Sequence, residues 1–289
     1  MNNLDNKGLE IPIDAIADIV SAYSSTLSRS DVWALAALVS ANEAQDDDNV
    51  QISFPFDWYG RSDCSSTDGK SSADQSLPSP DLNTHELLEF FSTSFGLSTR
   101  ETVALMGAHT IGQMSQQNSG FDGGRGWAGN NRNLDNGYFD GLIGGDEDEV
   151  TLGQIDDDDT LYRARDWTRQ IQDNSNIPNI PNRQFWFNQR DNGRRTIMTS
   201  SDIALVRDFS NSMDVETKEV SCSFRGRNTG CPFARETFRI VAEFKFDVDQ
   251  WIVEFKDVFT KVLLTGYDAS GSCDSPPCQL PQSRSNIFA

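Results

Sequence analysis

Apolar residues recur at helical spacing through most of the first hundred positions. In residues 11–24, Ile13, Ile16, Ala17 and Val20 fall on one face, which predicts an amphipathic helix. Ser30 is placed to cap a second helix, and the segment behind it, DVWALAALVSANEA, is apolar nearly all round, the pattern of a buried helix. Acidic and turn residues at 46–49 end it. FPFDWYGRSDC is short, aromatic and loop-like, and residues 65–80, rich in Ser, Asp and Pro, read as a surface loop. NTHELLEFFSTSF, at 83–95, is amphipathic again. Ser98, with Glu101 three residues on, is a capping box for a helix whose apolar stripe is Val103, Leu105 and Met106. Gly107 and Ala108 follow, small residues that let another group approach the backbone, and then comes His109.

After Gly112 the helical period is lost. The Gly- and Asn-rich stretch that follows is irregular until a short helix begins near 139–143, and a long irregular segment inside a compact domain is usually functional. The acidic run 156–159 reads as a solvated loop, because it lacks the alternating spacing of a calcium loop. Residues 161–171 read as helix, broken by the Asn- and Pro-rich 174–182. Trp186 and Phe187 restart a strand or turn, Ser200 or Ser201 begins a helix through Phe209, and 249–264 is a clear amphipathic helix ending at Gly266. There are no internal repeats. Helices dominate and strand signals are few, so the predicted class is mainly α.

Composition narrows the function. Among 289 residues the formal net charge is −20, which argues against nucleic acid as a partner because its phosphates would be repelled. The acidity fits a basic protein partner, and it fits general solubility. No apolar run approaches the roughly 18 residues of a membrane span, and the first residues resemble neither a secretory signal nor a transit peptide. Of the five cysteines, Cys222 and Cys231 flank a Gly-rich turn and Cys273 and Cys278 sit close together; both pairs have the spacing of short-loop disulfides, leaving Cys64 over. Disulfides point to an oxidising compartment, secreted or in an organelle lumen.

His109 is one of two histidines in the chain. On helix chemistry alone it is either a satisfied core residue or a ligand for the iron of a large flat cofactor. A set of separated stretches resembles the plant-type haem peroxidase superfamily, nearest to the group containing cytochrome c peroxidase and ascorbate peroxidase. VALMGAHTIG is similar to the proximal-histidine signature. NSGFDGGRGWAGNNRNLDNGYF is similar to the loop after it, including a Trp nine residues before an Asn-x-aromatic-aromatic group. MTSSDIALVRD resembles the segment of the proximal aspartate, and DQWIVEFKDVFTKVLLTGY the last helix; FPFDWYGRSDC and SDVWALAAL fit earlier segments more loosely. The resemblance implies a helical haem peroxidase domain over residues 1–267, with 1–96 as the remainder of a distal lobe and 97–267 as the proximal lobe, followed by a tail at 268–289.

It also implies a set of roles. His109 would ligate the iron of haem b, with Asp202 accepting its other N–H; without the resemblance Asp202 reads as a helix-capping acid. A carboxylate there gives the imidazole partial imidazolate character. Trp127 matches the proximal tryptophan stacked on the histidine, and its indole N–H is expected to donate to Asp202 as well. Thr110, Asn130 and Asp135 resemble ligands of a proximal K⁺ or Ca²⁺ site, although Ala128 stands where a threonine ligand is usual. Asn118 and Ser119 resemble residues near the haem propionates. The substrates implied are hydrogen peroxide and a one-electron donor, a small reductant or a basic redox protein.

The resemblance calls for one more helix, carrying a distal Arg and His that cleave the peroxide bond. The remaining histidine, His85, does not match that position, and no R-x-x-x-H pattern occurs. Two expectations follow. Either Met1 is an internal or mis-assigned start, with the distal helix and any signal peptide lying upstream, or this is a distal-less pseudo-peroxidase that at most binds haem. In both cases the chain by itself is expected to turn over peroxide poorly, since general acid–base catalysis contributes about two to four orders of magnitude.

Overall fold

The computed structural model describes residues 7–45, 51–63, 77–121, 126–143, 167–189, 195–222, 231–265 and 278–279. The chain divides into two compact units: residues 1–77 with 259–289, and residues 78–258. Cys64, Cys273 and the acidic run 156–159 lie outside the described residues.

The first unit is built on helices α1 (Glu10–Ala15), α2 (Ala17–Tyr23) and α3 (Arg29–Glu43). The single helix expected over 11–24 is interrupted at Ile16, whose backbone (φ −107°, ψ 7°) leaves the helical region. Of the predicted face, Ile13, Ile16 and Val20 are half-buried while Ala17 is exposed. The cap of α3 is Ser28 rather than Ser30: the Ser28 hydroxyl accepts the Asp31 N–H at 3.0 Å. Asp31 is 1% exposed among apolar neighbours. Its carboxylate takes Arg61 Nη1 at 2.9 Å and the Gly60 and Arg61 N–H groups, and Arg61 also donates to the carbonyls of Trp58 and Leu263. The buried carboxylate is thus met by a cation and two backbone N–H groups, the kind of pairing under which charges tolerate burial. The two-residue strand β1 (Trp58–Tyr59) pairs antiparallel with β5 (Cys278–Gln279).

The second unit opens with α4 (Thr84–Phe95) and α5 (Thr99–Met106), each started by a full capping box, Asn83 with Glu86 and the expected Ser98 with Glu101. Gly96, at φ 64°, ends α4 in the left-handed conformation that favours glycine. A 3₁₀ turn, Gly107–Thr110, follows α5 directly. The short helices α6 (Gln116–Ser119), α7 (Gly137–Leu142) and α8 (Ser200–Ile203) precede the long pair α9 (Arg235–Phe246) and α10 (Val248–Leu264). No helix is predicted above for α9, yet Phe238, Val241 and Ala242 recur at helical spacing along it and are buried, as is Phe244. Arg100 on α5 binds Glu243 on α9 and Glu254 on α10, fastening three helices through one guanidinium.

Two expectations are corrected here. The space left by Gly107 is taken by a side chain of the protein, because a Cβ there would overlap the Trp251 indole of α10 and come within 2.8 Å of Phe139. Trp251 in turn donates its indole N–H to the Ala104 carbonyl at 3.0 Å. The end of the expected helix over 161–171 is a strand: β2 (Thr168–Gln172) pairs with β3 (Arg183–Gln189), which pairs with β4 (Arg195–Met198) in an antiparallel sheet. The aromatic run of β3 buries Phe185 and Trp186, and a pairing partner of that kind overrides weak helical propensity. The fold remains mainly α. The Cys222–Cys231 disulfide forms, with Cα atoms 5.2 Å apart.

Candidate functional site

The 3₁₀ turn tightens the end of α5 and leaves His109 half-buried, its side chain 35% exposed while Thr110 beside it is fully buried. His109 Nδ1 lies 2.8 Å from Asp202 Oδ1. Asp202 is the third residue of α8, in a capping box whose N-cap is Thr199 rather than Ser200 or Ser201. The capping acid and the histidine partner are thus one residue using two oxygens. Oδ2 accepts the Thr199 N–H and hydroxyl, both at 2.7 Å. Oδ1 accepts His109 and the Tyr138 hydroxyl, the latter at 2.7 Å.

The electrostatics follow from this arrangement. Burial by itself pushes the Asp202 carboxyl up, but the charge and hydrogen bond of His109, with the hydrogen bonds from Thr199 and Tyr138, overcome it and hold the group below the usual carboxylate range. Burial, then the Asp202 charge, pushes the Tyr138 phenol well above its ordinary value, so Tyr138 stays a neutral donor. An ionised Asp202 has no proton to give, so the proton in the His109 contact belongs to Nδ1. In the neutral ring with its proton on Nδ1, the other nitrogen, Nε2, carries the lone pair, and it makes no hydrogen bond among the described residues.

Trp127 stacks on His109 with ring centroids 4.1 Å apart and planes 2° from parallel. It also packs against the cluster of Met114, Phe121, Phe185 and Ile197. The expected indole hydrogen bond to Asp202 is not formed. A carboxylate offers about four lone-pair sites, and Thr199, His109 and Tyr138 use them. Tyr138, edge-on to His109 at 5.8 Å and 81°, holds the place given to the indole. Tyr138 and Thr199 were missed from sequence, although both carried a signal: Tyr138 is the first aromatic of the Asn-x-aromatic-aromatic group, and Thr199 stands three residues before Asp202.

The other expected residues are brought together only in part. Thr110 donates to Asp135 Oδ1 at 2.6 Å, and the Gly137 N–H reaches the same oxygen at 2.8 Å. Asn130 is exposed and its side-chain oxygen accepts the Arg132 N–H, while Ala128 is buried and has no side-chain oxygen. Asn118 and Ser119 lie on α6, where the Ser119 hydroxyl donates to the Ser115 carbonyl; neither joins the hydrogen bonds around His109. His85 is on α4, 81% exposed, with Glu89 3.8 Å away.

The model of the peroxidase family matches residues 1–218. The chain belongs to the peroxidase family. Within it, the similarity is to the plant-type haem enzymes: the peroxisomal L-ascorbate peroxidase 5 of Arabidopsis thaliana is 33% identical over 150 residues, covering 50% of this chain and 47% of that protein. The mitochondrial cytochrome c peroxidase of Candida albicans is 29% identical over 120 residues, 41% of this chain and 30% of that one. This peroxidase chain spans about half the length of the ascorbate peroxidases it matches. A Leishmania major pseudoperoxidase shares the fold, with a TM-score of 0.58 and 17% identity over 90% of this chain and 77% of that one.

Proposed function

We propose that this chain binds haem b through His109 Nε2 and forms the proximal side of a peroxidase site, whose reaction class is the reduction of hydrogen peroxide by a one-electron donor. The observation that carries the reading is the oriented imidazole: Nδ1 tied to a buried carboxylate, Nε2 without a partner among the described residues, the ring part-exposed and flanked by Trp127. This donor set fits the group, since an axial histidine is normally fixed by a hydrogen bond from its other nitrogen. Haem supplies, when bound, the redox-active iron at which peroxide is reduced. The protein residues do the rest. His109 holds the iron and Asp202 draws on its Nδ1 proton, making the ring a stronger donor that favours oxidised iron. Trp127 lies against the imidazole in position to pass an electron. The donor is a small reductant or a basic redox protein, the latter suited to a net charge of −20, and the Cys222–Cys231 bridge fits an oxidising compartment.

A second reading concerns turnover. Peroxide cleavage needs a base beside the bound peroxide, and the other histidine is on the surface of α4 next to Glu89. By itself the chain then binds haem and turns over peroxide slowly. Haem titration followed by the Soret band tests the first reading: wild type binds stoichiometrically, and His109→Ala loses the complex. A variant with an unchanged spectrum and affinity overturns it. Steady-state peroxide consumption tests the second, with rates expected about two to four orders of magnitude below those of a peroxidase that has a base beside the bound peroxide.

A further inference from the structure

We infer that Tyr138 is a positioning residue for the iron ligand: by donating to the same carboxylate oxygen as His109, its hydroxyl limits how strongly Asp202 draws on the imidazole. The inference rests on the reading of His109 as the haem ligand. Its basis is a competition at one atom. Oδ1 of Asp202 receives His109 Nδ1 at 2.8 Å and the Tyr138 hydroxyl at 2.7 Å, while Thr199 occupies Oδ2. Tyr138 is fully buried, so no solvent competes for its hydroxyl. Its ring is held between the edge contact with His109 and a second with Phe139 at 5.3 Å, which fixes the place of the hydroxyl oxygen beside Asp202.

Hydrogen bonds to an ionised acceptor are roughly twice as strong as neutral ones, so the phenol withdraws real charge from Oδ1. The oxygen then accepts less from Nδ1–H, the imidazole keeps its proton more fully, and Nε2 becomes a weaker donor. The partner of a ligating histidine sets its basicity, and the partner of that partner acts in the same sense at one remove. Packing alone does not call for this choice, because a phenylalanine would fill the same volume. A tyrosine costs stability here unless its hydroxyl finds an acceptor, and the acceptor it finds is the one that controls His109.

The test uses the full chain loaded with haem b, comparing wild type, Tyr138→Phe and protein carrying 3-fluorotyrosine at position 138. The readouts are the ferrous iron–histidine stretching frequency from resonance Raman spectra and the ferric/ferrous potential. Tyr138→Phe raises the frequency and lowers the potential, because Oδ1 is left to His109 alone. The fluorinated phenol, a stronger donor of nearly the same shape, moves both the other way, and it decides the matter even where Tyr138→Phe folds poorly. Shifts of opposite sign are what a purely structural tyrosine does not produce. Unmoved bands, or shifts of the same sign, overturn the inference while leaving His109 as ligand. A wild-type protein that binds haem with no iron–histidine band overturns both.

Discussion

Two aspartates are buried almost equally in this molecule, Asp31 at 1% exposure in the first unit and Asp202 at 0% in the second. Both are satisfied by several donors, yet they do different work. Asp31 faces Arg61, a permanent cation that also donates to the carbonyls of Trp58 and Leu263. That pair is closed by burial: the side chains of Arg61 and Asp31 are 6% and 1% exposed. Asp202 faces His109, which has a second nitrogen and a part-exposed ring. Burial of a carboxylate therefore does not mark a site. The mark is a partner that keeps one valence open after the carboxylate has been satisfied.

The largest expected effect comes from breaking the closed pair. Asp31→Ala leaves the Arg61 charge buried and unpaired, which costs about 3–5 kcal/mol. Denaturant unfolding of the haem-free protein reads it, and a loss under 1 kcal/mol would mean that Arg61 escapes to water. At the open pair the order is reversed. Asp202→Asn keeps the shape of the side chain and weakens haem binding by about 10–100-fold, with a smaller change in unfolding. If stability falls as far as in Asp31→Ala while affinity holds, the two aspartates are alike and the contrast drawn here fails.

The smallest effect belongs to a carboxylate that is neither closed nor open. Glu243 is 40% exposed beside Arg100, and the hydrogen bond and charge of that arginine hold its carboxyl below 4.5 against the opposing effect of partial burial. A lowered folded value means that the stabilisation is full above the unfolded pKa and is lost as pH falls through the folded one. Glu243→Gln should therefore cost no more than about 1 kcal/mol at pH 7, and the gap from wild type should close as the pH is taken below 4.5. Unfolding curves across that range check it; a gap that widens in acid reverses the sign.

Much of this was legible beforehand because the signals were local. Capping boxes write their geometry within four residues, so Ser98 with Glu101 and the start of α5 could be read directly. The pairing of His109 with Asp202, 93 residues apart, came only through the resemblance of two motifs. What was missed depended on neighbours distant in sequence. Gly107 is small because Trp251 needs the space, 144 positions later, and 168–171 is extended because β3 offers it a ladder. Tyr138 was overlooked because an aromatic in an apolar run reads as packing until the fold shows where its hydroxyl ends.

The sharing of Asp202 between a helix start and an imidazole has a consequence for how a ligand is received. The residue that orients His109 is locked as soon as α8 forms, because Thr199 grips the other oxygen from both backbone and side chain. The ring is thus aimed before any cofactor arrives, and the entropy of aiming it is lost during folding instead of during binding. Cofactor capture should accordingly be a docking event onto a preset nitrogen, with an on-rate insensitive to slow rearrangement of the protein around it.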